Sequence, residues 1–190
     1  RGKVVFAGPS ASGKTSILYR IEMDEYFTDN PPTLTTSFLN KEFVFQGHTI
    51  NLNFWDTAGQ ERFNAVSQNY FRSAQVILIC FDLTSQKSFD SMKFWVNSAK
   101  QKTDGQTKKI IIGNKSDLVE SIILNEEHVK DFLETITEKT DNEFSYMETS
   151  AKSGVGIKEL IVKITEKYLQ TTQFKENDDK TVKLGKKEKK

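Results

Sequence analysis

From one end almost to the other, the chain alternates between short apolar runs and stretches whose apolar residues recur at helical spacing. Val4-Val5-Phe6-Ala7 opens it, and a glycine-bearing loop then leads to a helical pattern with Ile17, Leu18 and Ile21 on one side. In Phe38–Gln46 and Thr49–Trp55, residues Phe43, Phe45, Ile50, Leu52 and Phe54 alternate with polar neighbours, the pattern of strands buried on one face. Gln46-Gly47-His48 between them reads as a hairpin turn. Gln75–Asp82 and Lys109–Gly113 are solid apolar runs, as in central strands covered on both faces. Ser88–Lys102, with Ser88 as its N-cap, and Asn125–Glu138 read as helices. Glu143–Glu148 is a last short strand, and Ile157, Leu160, Ile161, Ile164 and Tyr168 mark the stripe of a final helix.

Strands that alternate with helices imply an α/β fold. The expected sheet is six-stranded and mainly parallel, with one antiparallel edge strand from the hairpin and helices on both faces. Ligands of such sheets bind at the carboxyl ends of the strands. Two stretches break the rhythm. Asp24–Thr36 is polar, holds Pro31-Pro32 and has no period; loops this long in a compact domain tend to carry function. From about Thr171 the apolar pattern stops and lysines dominate. We expect a domain over 1–170 and a disordered tail over 171–190. Acids interspersed among the lysines favour a plain solvated terminus over a tether to anionic membranes.

Composition changes this picture little. With 190 residues, 28% charged and 36% hydrophobic, the chain suits a single domain with a substantial core. A net charge of +1 gives no argument for nucleic-acid binding. Cys80 is the only cysteine, which excludes an intramolecular disulfide and fits a reducing compartment. No apolar run approaches the ~20 residues that span a bilayer, and no signal peptide is seen. The chain starts at Arg1, without an initiator methionine and almost directly in a strand, so a trimmed piece is expected.

The chemistry lies at the strand ends. Gly8-Pro9-Ser10-Ala11-Ser12-Gly13-Lys14-Thr15 reads G-x-x-x-x-G-K-[ST] and sits between a strand and a helix, as a phosphate-binding loop does. Its glycines let successive N–H groups curl around an anion, and the helix that begins near Lys14 adds its positive end. Ser10, Ala11, Ser12, Gly13 and Ser16 belong to this cradle. Lys14 would reach the β- and γ-phosphates, and the Thr15 hydroxyl would ligate magnesium. Asp56 ends a strand facing the loop; it reads either as a magnesium-holding acid or as a helix N-cap. Gly59 would let a γ-phosphate come close, and Gln60 would orient the attacking water. Asn114-Lys115-Ser116-Asp117 ends the fifth strand. Asp117 could accept two hydrogen bonds from a base that presents N1–H and an exocyclic amine, as guanine does. Lys115 would lie along the purine, and Asn114 would tie this loop to the phosphate loop. In Ser150-Ala151-Lys152 the Ala151 N–H would meet the guanine carbonyl, and Thr33 would complete the magnesium shell. Taken singly, the strings at 114–117 and 150–152 also read as ordinary turns.

In this order the motifs GxxxxGKT, loop threonine, DTAGQE, NKxD and SAK resemble a Ras-superfamily small GTPase over roughly Lys3–Leu169. Leu52-Asn53-Phe54-Trp55, Tyr70-Phe71-Arg72-Ser73-Ala74, Phe81-Asp82-Leu83-Thr84 and Glu148-Thr149-Ser150-Ala151-Lys152 are similar to its Rab branch. The resemblance implies a P-loop NTPase three-layer sandwich that binds GTP or GDP with Mg2+, hydrolyses GTP slowly and switches vesicle traffic. It also implies that Tyr26 flanks guanine. Exchange factors, activating proteins and effectors would meet Asp24–Ser37 and Gln60–Ala74. A monomer on the cytosolic face of an intracellular membrane is expected, with a C-terminal tail, incomplete in this chain, as one route of attachment. The chain departs from the pattern at Thr35, where Rab proteins carry glycine, and at Asn30, where an aromatic often covers the phosphates. It is also longer around Thr137–Asn142 and has no C-terminal cysteine.

Two other readings stand beside this one. A GTP-binding module with negligible hydrolysis is disfavoured by Gln60. A phosphate-transferring kinase would need an arginine-bearing lid, and of the four arginines only Arg62 is expected near the site.

Overall fold

The computed structural model describes residues 1–29, 33, 37–57, 69–137 and 143–185, the last stretch as backbone alone from 173. Six strands form one sheet: β1 (Gly2–Ala7), β2 (Ser37–Phe45), β3 (His48–Asp56), β4 (Val76–Asp82), β5 (Lys108–Asn114) and β6 (Phe144–Thr149). Their order is β2-β3-β1-β4-β5-β6, with every pair parallel except the β2–β3 hairpin. Among the described residues the α-helices are α1 (Lys14–Met23), α2 (Gln86–Lys102), α3 (Glu126–Glu134) and α4 (Ile157–Gly185). The expected six-stranded α/β sheet with one antiparallel edge strand is therefore observed.

Alternation along the central strands divides the core in two. Val4, Phe6, Leu78, Cys80, Ile110 and Ile112 face α1 and α4, meeting Ile17, Ile21, Leu160 and Ile164. Val5, Ala7, Ile77, Ile79, Phe81 and Ile111 face the other way, toward Met92, Trp95 and Val96 of α2 and Val129 of α3. Strands covered on both faces must be apolar at every position, which is why β1 and β4 read as continuous runs. The hairpin buries one face more than the other: β3 buries Ile50, Leu52 and Phe54 and leaves the residues between them partly exposed. Its turn takes Gln46 and Gly47 through φ 49° and 78°, the left-handed pair that matches the twist of a two-residue hairpin.

Three element ends differ from the sequence pattern. Helix α2 starts at Gln86 with Ser85 as its cap: the Ser85 hydroxyl accepts from Ser88 N (3.2 Å), and the Ser88 hydroxyl instead accepts from Asp82 N (2.9 Å). Helix α3 stops at Glu134 because the Thr135 and Thr137 hydroxyls donate to the carbonyls of Phe132 and Leu133 and compete with the helical ladder. Where the sequence expects disorder from Thr171, the backbone of α4 stays helical to Gly185. Losing the apolar stripe does not by itself end a helix in a stretch that carries lysines and is free of proline. The extension at 138–142 lies outside the described residues.

Chain order places the site. From β1 the chain crosses to one side of the sheet and builds β2 and β3, then crosses to the other side for β4, β5 and β6. The crevice of such a sheet opens at that reversal, beyond the carboxyl end of β1, where Gly8–Thr15 lies.

Candidate functional site

The loop after β1 is shaped by two glycines. Gly8 and Gly13 take φ +124° and +92°, and a Cβ on them would lie 2.2 Å from the Cys80 carbonyl oxygen and 2.1 Å from Asn114 Nδ2. No side chain fits at either position. The loop closes on itself through the Ser12 hydroxyl, which donates to Pro9 O (2.9 Å), and Lys14 Nζ, which donates to Gly8 O (3.0 Å) and Pro9 O (2.9 Å). Lys14 is thereby a buried cation folded back over the loop. Gly13 caps α1 without a side-chain acceptor, and the first turn holds no acid. The opening N–H groups of α1 thus lie at the loop with no acidic side chain of their own turn and no side-chain cap, an electrostatic setting for an anion.

Three oxygens converge beside it. The Thr15 hydroxyl donates to Asp56 Oδ2 (2.6 Å), and the Thr15 and Thr33 hydroxyls are 2.8 Å apart. Asp56 is fully buried. Its Oδ1 has no hydrogen-bond partner among the described residues. Burial raises the Asp56 pKa above the ordinary carboxylate value, and hydrogen bonds from Thr15 and Thr33 with the charge of Lys14 only partly offset this. A buried carboxylate oxygen without a donor, next to two hydroxyls, is the set of hard oxygen ligands that a small divalent cation takes. The residues present fit such an ion.

On the other side of the loop lies a cavity of about 260 Å³, lined among others by Gly13, Ser16, Tyr26, Lys115, Asp117 and Leu118, with Asn114, Ala151 and Lys152 completing it. Asn114, at the end of β5, holds the walls together. Its Nδ2 donates to Ser12 O (3.0 Å), while its Oδ1 accepts from the Thr149 hydroxyl (3.1 Å) and from Ala151 N (3.2 Å). The side chain expected to tie the two loops does so. The Ala151 N–H, expected to face the base, spends this bond on Asn114 instead. The Ser150 hydroxyl donates to Asp117 Oδ1 (2.6 Å), which fixes the carboxylate at the cavity. Lys115 takes a left-handed φ of 70° and pairs its ammonium with Asp82 Oδ2 (2.6 Å), leaving its stem along the cavity wall. Burial would raise the Asp82 pKa, but hydrogen bonds from Lys115 and Thr84 outweigh it and hold the carboxyl below its usual value.

Phosphate loop, oxygen cluster and cavity thus adjoin one another, with Gly13 and Ser16 lining the cavity and Thr15 standing in the cluster. Ser12, Gly13, Lys14, Thr15, Ser16, Tyr26, Thr33, Asp56, Asn114, Lys115, Asp117, Ser150, Ala151 and Lys152 are brought to this site, and Ser10 and Ala11 lie in the loop itself. Gly59, Gln60 and Arg62 lie outside the described residues, as do Asn30 and Thr35. Sequence reasoning missed Asp82, Leu118 and Arg20. Asp82 could have been found by the signal that found Asp56, a carboxylate at the end of a buried strand. Arg20 corrects the expectation that Arg62 alone lies near the site: its Nε donates to Ala151 O (2.9 Å) and its Nη2 to Lys152 O (2.8 Å). Cys80, buried on the face of α1, has its thiol pKa pushed up to about 12 by desolvation and has no reactive part to play here.

Comparison with known proteins agrees with this geometry. The Ras family model matches residues 3–170. The chain is similar to the Ras-related protein RabG2 of Dictyostelium discoideum, 32% identical over 83% of this chain and 77% of that protein. It is also similar to Rab-10 of Diplobatis ommata, 31% identical over 96% and 88%. GTP-binding protein ypt1 of Schizosaccharomyces pombe is 30% identical over 96% and 89%. The chain belongs to the Ras family: it is a Rab-like small GTPase that binds GTP, hydrolyses it to GDP and acts in vesicle trafficking.

Proposed function

We propose that the nucleotide lies along the crevice with guanine in the cavity and its phosphates in the Gly8–Thr15 loop. The observation that carries this reading is the Asn114 bridge, which joins the base-side wall to the phosphate loop. Asp117 accepts N1–H and the exocyclic amine of guanine, Lys115 and Tyr26 flank the ring, and Ser150, Ala151 and Lys152 close it in. Lys14 and the N–H groups from Ser10 to Ser16 hold the phosphates. Thr15, Thr33 and Asp56 hold Mg2+, which when bound neutralises charge on the phosphate oxygens. Gly59 senses the third phosphate, and Gln60 orients the attacking water. Stabilisation of the charge that builds up in phosphoryl transfer then falls to Lys14 and the loop amides.

As a Rab-like protein it works with exchange factors, activating proteins and effectors. We assign their contacts to Asp24–Ser37 and Gln60–Ala74, and read residues 1–170 as the switching domain, a monomer, with 171–190 as its tail. Among the described residues no helix is long and apolar enough to cross a membrane. From its membership of the Rab-like group, the reading is peripheral attachment to the cytosolic face of an intracellular membrane.

Slow turnover follows from the sequence of the first switch. Residues 24–36 contain no arginine and no lysine, so no cation from that segment reaches the γ-phosphate. A relative without an internal arginine hydrolyses at roughly 10⁻⁴ s⁻¹ and gains ~10⁵-fold from an activating protein. Single-turnover assays of protein loaded with GTP test this. A rate of that order is expected, and a rate near ~1 s⁻¹, the scale reached with a supplied arginine, would overturn it.

A further inference from the structure

We propose that Arg20 is the positioning residue through which the entrance of the first switch segment governs how long guanine nucleotide is held. This rests on the nucleotide reading above. Arg20 lies in the last turn of α1, and its guanidinium reaches three places at once. Nε donates to Ala151 O (2.9 Å), Nη2 to Lys152 O (2.8 Å) and Nη1 to Asp24 O (2.6 Å), with Asp24 Oδ1 a further 3.4 Å neighbour. The Arg20 side chain is 14% exposed; its bond to Ala151 is part-buried, while those to Asp24 and Lys152 lie at the surface. Ala151 and Lys152 form one wall of the base cavity. That wall is pinned from within by Asn114 and from behind by Arg20.

Asp24 is where α1 gives way to the polar loop. It takes a left-handed φ of 58° and its N–H caps the helix on Arg20 O. Any movement of the loop that swings Asp24 away removes one of the three acceptors that fix the plane of the guanidinium. The fork then loses its geometry and the 150–152 wall loses its backing. A partner that pulls on the first switch thereby loosens the base side of the site without touching it. Only arginine serves, because its donors are fixed in one plane; lysine offers one ammonium and cannot bond all three carbonyls in these directions. No contact of Arg20 reaches Lys14, Thr15 or Asp56, so the hydrolytic step is not its business.

The test compares wild type with Arg20→Lys, Arg20→Gln and Arg20→Ala. It measures release of a fluorescent GDP analogue, single-turnover hydrolysis of preloaded GTP, and thermal midpoint with saturating GDP. About tenfold or more faster release is expected in all three variants, lysine included. Hydrolysis of bound GTP should stay within about twofold of wild type. Rescue of slow release by lysine would mean that only the positive charge at the helix end matters, and would overturn the proposal. So would unchanged release, or release and hydrolysis changing together. Should the alanine variant fail to fold, lysine and glutamine carry the comparison. A wild-type protein that holds no guanine nucleotide would overturn the functional reading itself, whereas normal wild-type retention with unchanged variants overturns the role of Arg20 alone.

Discussion

Asp56 combines two opposed demands, since the fold buries it completely while one of its carboxylate oxygens has no donor among the described residues. Burial makes the charge costly, and a bound cation would repay the cost. Asp56→Asn keeps the shape and the Thr15 hydrogen bond but removes the charge. In wild type, chelating magnesium should speed GDP release; in the variant release should already be roughly tenfold or more faster with magnesium present, the scale on which metal affinity suffers when a supporting group is lost. A variant that keeps the full magnesium effect would show that the ion is held elsewhere. Asp82 is the converse case. Its folded pKa lies below the ordinary 3.8, so the Lys115 and Thr84 contacts add stability that is fully present above that value and is lost as pH falls through the lower folded value. Asp82→Asn should therefore lower the urea midpoint at pH 7 by an amount worth about 1–2 kcal/mol. The gap between variant and wild type should close below about pH 3.8. A gap of constant size down to acid pH would mean that the carboxylate charge contributes nothing. Asp56, Asn114 and Asp117 were legible because each belongs to a contiguous string at a strand end. Asp82 carried the same strand-end signal as Asp56, although its partner Lys115 stands 33 residues away; Arg20 acts through Ala151, 131 residues distant, and no local pattern encodes that pairing.

Among the elements, the core strands were legible to within a residue or two because burial on two faces leaves a continuous apolar run. The ends were less so. Ser85 and Ser88 are both acceptable caps by residue type, and only the backbone, extended at Ser85, decides between them. The end of α3 turned on two threonine hydroxyls, a side-chain competition that the apolar period through Ile136 concealed. The element with most bearing on function is the segment between α1 and β2. Its Thr33 hydroxyl lies 2.8 Å from that of Thr15, so whatever ligates Thr15 also draws on the segment. Hydrogen exchange with GDP and with a non-hydrolysable GTP analogue should show slower exchange over 24–36 and 60–70 in the analogue state, with β1, β4 and β5 unchanged. Equal exchange in both segments would describe a protein that binds nucleotide without switching.

For the molecule as a whole, the central claim is that one crevice, opened by the reversal of strand order at β1, reads phosphate at one end and guanine at the other. Asn114 couples the ends, so the base-reading loop is held in register with the phosphate loop. The most direct measurement is the affinity of wild type and Asp117→Asn for GDP, ADP and XDP. A carboxylate at 117 matches the two N–H donors of guanine; an amide matches one donor and one carbonyl, the pair that xanthine presents. The amide oxygen can still accept from the Ser150 hydroxyl, which holds the loop as it is. Wild type should prefer GDP over ADP and XDP by about a hundredfold or more, and the variant should lose GDP and gain XDP by a comparable factor, because a buried polar edge left unmatched is strongly rejected. Comparable binding of ADP and GDP by wild type, or a variant whose preference stays with GDP, would contradict the account.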